Sequence, residues 1–123
     1  HVLETLNGYI SLIENMSNSN KKNSETYNFG PSLINNKSVK ELVEKINEFW
    51  PTEYMISDNK STFHETKILH LNSDKAYKNL NWSQKWDFDK TIFRTINWYK
   101  SWHGGKDPLD LCLHDIKDYY KEL

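Results

Sequence analysis

Between Ser38 and Pro51 the chain specifies a helix at both ends and along one side. Ser38 can accept from the backbone three residues on while Glu41 reaches back to the Ser38 amide, so the pair reads as a capping box. Val39, Leu42, Val43, Ile46, Phe49 and Trp50 recur at helical spacing as an apolar face, and Pro51 stops the run. The same punctuation recurs downstream. Ser73 opens a short helix through Leu80, and Asp87 opens a longer one over Phe88–Trp102 that Gly104-Gly105 terminates. Asp107 with Pro108 at the first turn opens a last helix, whose apolar face is Leu109, Cys112, Leu113, Ile116, Tyr119, Tyr120 and Leu123. Upstream, Leu3, Leu6, Ile10, Ile13 and Met16 form one more stripe. A fold of about five helices is expected.

A few short strands are expected between them. Thr26–Pro31 reads as a strand closed by a Gly-Pro turn, and Glu53–Ile56 and Lys67–Leu71 are two further candidates. The polar run after Met16 reads as a surface loop. The fold class is therefore mixed α/β, and 123 residues fit one domain, not two. Aromatics make up 14% of the residues, too many for a disordered chain, so a soluble globular protein is expected.

Formal net charge is −1, which gives no support for nucleic-acid binding. Arg94 is the only arginine, so a bidentate phosphate clamp is not expected to be complete within the chain. Cys112 is the only cysteine and has no disulfide partner in the chain, which fits a reducing, cytoplasmic setting. No apolar run approaches the roughly 20 residues that span a bilayer. The chain opens at His1 and enters a helical pattern almost at once, as a piece of a longer protein would.

Few constellations could carry chemistry. His64, Glu65 and His70 invite a metal reading, but extended backbone would hold the two histidines about 20 Å apart at roughly 3.3 Å per residue. No metal site is expected. Gly104-Gly105 is a helix terminator without the spacing of a dinucleotide-binding loop. Cys112 reads as core, and Trp98, Tyr99 and Trp102, at helical spacing, as core and rim. From residue types alone no catalytic apparatus is visible.

Several short motifs, in order, do resemble a known family. His1-Val2 with Glu4 is similar to the HVxD/E element of extended short-chain dehydrogenase/reductases that act on nucleotide sugars. Tyr27-Asn28-Phe29-Gly30 resembles their YNxG strand, and Leu80 to Gln84 their LGWxP turn, with Asn81 and Gln84 in place of the Gly and Pro. Thr95-Ile96 with Trp98-Tyr99 resembles the ending of the next helix. Within that superfamily, His1-Val2-Leu3-Glu4 with Gly8-Tyr9, Asn28 to Pro31, His64-Glu65 and Trp82 through Trp86 resemble the CDP-glucose 4,6-dehydratase family.

The resemblance implies the carboxyl-terminal, substrate-binding part of an NAD-dependent epimerase/dehydratase, residues 1–123, with the Rossmann half missing. It implies that Glu65 binds a nucleotide ribose and that His64 adds a donor to phosphate or sugar. It also implies that NAD is the cofactor of the parent enzyme, that a nucleotide sugar is the substrate, and that this portion alone is not catalytic. Alternatives are another nucleotide-sugar epimerase or dehydratase, or a non-enzymatic binding module that retained the fold. Without its neighbouring lobe the chain would leave Leu3, Leu6, Ile10 and Ile13, with Tyr27 and Phe29, partly uncovered, so a homo-oligomer is expected.

Overall fold

A computed structural model describes residues 1–18, 25–32, 37–55 and 71–121. Each expected helix is present: α1 (Val2–Asn18), α2 (Val39–Phe49), α3 (Asp74–Leu80), α4 (Phe88–His103) and α5 (Pro108–Lys121). The caps act as the sequence indicates at three starts. Ser38 and Glu41 close the full capping box on α2. The Asp87 carboxylate accepts from Lys90 N at 2.8 Å, and Asp107 accepts from Leu109 N and Asp110 N at 2.9 and 3.1 Å. At α3 the expectation fails, because the Ser73 side chain caps nothing there. Asn72 instead accepts from Asp74 N at 2.8 Å. The α3 exit falls on Asn81 in the left-handed region, φ +52°. Asparagine is among the few residues that take this conformation readily, which explains how it substitutes for glycine in this turn.

No strand occurs among the described residues, so the described part is helical and the expected short strands are not seen in it. Residues 26–31 carry strand-like residue types but pair with no strand among the described residues. Side chains instead take backbone groups of Thr26 and Gly30. Gly30 N donates to Ser73 Oγ at 2.9 Å, Ser73 Oγ donates to Gly30 O at 3.3 Å, and Lys75 Nζ donates to Thr26 O at 3.0 Å. The hydroxyl expected to cap α3 thus ties down the 26–31 segment. Residues 53–55 and 71 are likewise irregular, and the rest of the two other strand candidates lies outside the described residues.

The core is small and aromatic. Ala76, Trp82, Trp86, Ile92, Ile96 and Tyr119 are its buried apolar members. Phe29 plugs it from one side, edge-on to Trp82 at 5.1 Å and to Tyr9 at 5.8 Å. The ring fits only because Gly8 has no side chain; a Cβ there would stand 2.4 Å from Phe29. Helix α2 lies along α4 through Phe49 and Phe93, 5.4 Å apart. Its expected buried face is only half-buried, and Val39 is exposed, because α2 touches the rest along one edge.

Candidate functional site

Glu4 sits in the first turn of α1 and is buried, although a carboxylate there could equally have faced water. Its oxygens accept from Trp86 N at 2.9 Å, from Lys85 N at 3.2 Å and from the Tyr119 hydroxyl at 2.8 Å. Its backbone carbonyl accepts from Trp82 Nε1 at 3.1 Å. One residue therefore joins α1, the turn of residues 82–86 and α5. Burial, reinforced by the Glu4 carboxylate, pushes the Tyr119 phenol far above its ordinary range, so it remains a neutral donor.

A second layer of charge flanks this knot. Arg94 on α4 donates to Asp118 at 2.7 Å and to Asp115 at 3.5 Å, and its guanidinium lies over the Trp86 ring at 5.3 Å. The side-chain hydrogen bond from Arg94 holds Asp118 below its usual value. Asp115 moves the other way, because burial raises its pKa more than Arg94 lowers it. His1 Nε2 stands 3.9 Å from Asp115, and the imidazole is edge-on to Trp86 at 4.9 Å. The lone arginine is thus engaged within the fold.

Two concavities meet at His1. One, of about 430 Å³, lies between α1, α4 and α5 and is lined by Leu6, Trp98, Tyr99, Cys112 and Ile116 among others. The other, of about 290 Å³, is bounded by Phe29, Gly30, Trp82, Gln84 and Thr91. Cys112, expected in the core, is exposed on the wall of the first. Trp82 is buried, while Tyr99 and Trp102 are rim. His64 and Glu65, the two expected substrate-binding residues, lie outside the described residues.

The Gly104-Gly105 pair does not suit a dinucleotide phosphate. Gly104-Gly105 closes the carboxyl end of α4, where the helix carbonyls present partial negative charge, the wrong sign for a pyrophosphate. No group of three or more metal-ligating side chains occurs among the described residues. No helix among the described residues is long and apolar enough to cross a membrane. What the geometry does provide is a rigid junction: the element that begins at His1 is locked to the 82–86 turn through one carboxylate.

That junction is built from the motifs that suggested a family. Known proteins bear on the same point. No protein-family profile matches the chain. Along nearly its whole length, however, the chain is similar to the carboxyl-terminal part of a CDP-glucose 4,6-dehydratase. The relative is from Salmonella typhimurium and is 34% identical over 120 residues, 97% of this chain. The chain spans about a third of that protein's length, 33%.

Sequence reasoning noticed Glu4 only as part of a motif. Its isolation as the one charged residue among the first 13 was the available signal. Arg94, Asp115 and Asp118 are 21 or more positions apart from arginine to acid, and no local pattern links them.

Proposed function

We propose that this chain is the sugar-nucleotide-binding portion of an NAD-dependent CDP-glucose 4,6-dehydratase. The parent would convert CDP-glucose to CDP-4-dehydro-6-deoxyglucose. The observation that carries the reading is the 34% identity extending over 97% of the chain. In this reading the junction sets the first helix, and the segment entering it, against the substrate lobe. Glu65 accepts from the ribose hydroxyls, and His64 donates to phosphate or sugar. NAD is held by the remaining two-thirds of the parent, and the portion alone does not turn over substrate.

The test is steady-state kinetics of Glu65→Gln in the longer protein. The ribose lies far from the reacting sugar carbons, so its contact is made equally in ground and transition states. Loss of such uniform binding raises KM and leaves kcat unchanged. A charge-assisted hydrogen bond is worth about 1–2 kcal/mol here, so KM should rise roughly 5- to 30-fold. A collapse of kcat at constant KM would place Glu65 in the chemistry, and no change in either would remove it from the site.

A further inference from the structure

Helix α1 is held to the rest of the protein at two residues, Glu4 and Gly8, which it buries. They stand about one turn apart on one face, and both meet Trp82. The Glu4 carbonyl accepts from Trp82 Nε1 at 3.1 Å, and Phe29, seated on Gly8, lies edge-on to the same indole at 5.1 Å. The entry to the helix is held as closely. Glu4 N donates to His1 O at 3.1 Å and Leu3 N to His1 Nδ1 at 3.3 Å, while the His1 ring rests against Trp86. Trp86 is itself fully buried and edge-on to Tyr119 at 5.1 Å.

Stability alone does not call for a carboxylate here. An apolar side chain at position 4 would bury area without the cost of desolvating a charge, and buried ionic groups are often replaceable by hydrophobic ones at no loss. What the carboxylate adds is direction. Its oxygens accept from the consecutive amides of Lys85 and Trp86 and from the Tyr119 hydroxyl, so its donors come from the 82–86 turn and from α5. Apolar packing tolerates small slides and rotations. A buried carboxylate satisfied by three fixed donors admits one placement of the helix start.

We infer that Glu4 and Tyr119 are positioning residues for the reaction of the parent protein. By fixing the first turn of α1 against the 82–86 turn and α5, they set the orientation in which the rest of the parent meets this portion. The inference rests on the function proposed above, in which the substrate is held here and NAD by the remaining two-thirds. In that reading the covalent connection between the two parts enters α1 at His1, in the same turn as the knot. Neither Glu4 nor Tyr119 touches the substrate; both act through the segment that enters the helix. Reacting groups carried by two separate parts depend on that placement, and a misplacement of about 1 Å costs on the order of 100-fold in rate.

Tyr119→Phe in the longer protein keeps the buried ring and removes only the hydroxyl that donates to Glu4. It should lower kcat roughly 10-fold while the KM and the calorimetric Kd for CDP-glucose stay within about twofold. This split is the reverse of that expected for Glu65→Gln. Hydrogen exchange at the Lys85 and Trp86 amides should quicken, because their acceptor is no longer held. Ser38→Ala, which opens the α2 cap without touching the knot, should lower the urea midpoint and leave kcat and those amides unchanged. Glu4→Gln combined with Tyr119→Phe should lower kcat by less than the product of the single effects, since both act on one bond. An unchanged kcat in Tyr119→Phe, a kcat loss shared by Ser38→Ala, or fully multiplicative losses in the double variant overturns the inference. So does a rise in KM at constant kcat, which would put the knot in substrate binding. These outcomes sink the inference alone; a wild-type parent that does not turn over CDP-glucose sinks the functional reading and the inference with it.

Discussion

Two residues in the first turns of α1 hold more of this fold than their size suggests. Glu4 accepts from two backbone amides and a phenol in a buried setting, and a neutral amide cannot reproduce all of these bonds. Glu4→Gln should cost about 2–3 kcal/mol, the range for buried hydrogen bonds to a charged group, read as a lower urea midpoint at unchanged slope. A loss below half that would mean the network is dispensable. Gly8→Ala sets two effects against each other. Alanine gains about 1 kcal/mol of helix propensity. A Cβ 2.4 Å from Phe29 forces the ring out of its seat, and such overpacking costs about 1–3 kcal/mol. Net destabilisation is expected, and Phe29→Ala should relieve the steric part. A more stable Gly8→Ala would show that Phe29 does not pack there.

At the scale of elements, most of each helix comes from its own sequence. Asp87→Ala removes the bond to Lys90 N and should cost about 1 kcal/mol, measured by thermal unfolding. The α2 box adds a pH signature. The backbone and hydroxyl bonds to Ser38, in that order of effect, hold the Glu41 carboxyl below the ordinary glutamate range. A folded pKa lower than the unfolded one stabilises α2 fully above about pH 4.5, and that contribution fades as pH falls through the lowered value. Ser38→Ala should bring the Glu41 titration back up, followed through its side-chain carboxyl resonance in NMR. An unmoved titration would mean that the box is open in solution. The 26–31 segment shows the limit of element-level reading. Its residues favour a strand, but a strand is a relation between two segments, and here Ser73 and Lys75 answer its backbone instead.

For the whole molecule, binding follows from what these residues can and cannot offer. Arg94 is engaged with Asp115 and Asp118, so no arginine is left over for a diphosphate. CDP-glucose should therefore bind this chain no better than millimolar, about 4 kcal/mol, by calorimetry. Micromolar binding would mean that the substrate site is complete within these residues. The sequence by itself determined the five helices, the caps of α2, α4 and α5, and the resemblance that the Salmonella relative bears out. Those features depend on spacings of three or four residues, or on residue types in order, and both are visible in one dimension. Tertiary structure alone decided that Glu4 faces inward, and that Cys112 lies on a wall and not in the core. Periodicity shows that a helix has an apolar side. Which side meets the protein depends on partners as distant as Tyr119, 115 positions from Glu4, whose hydrogen bond exists only once the chain has folded.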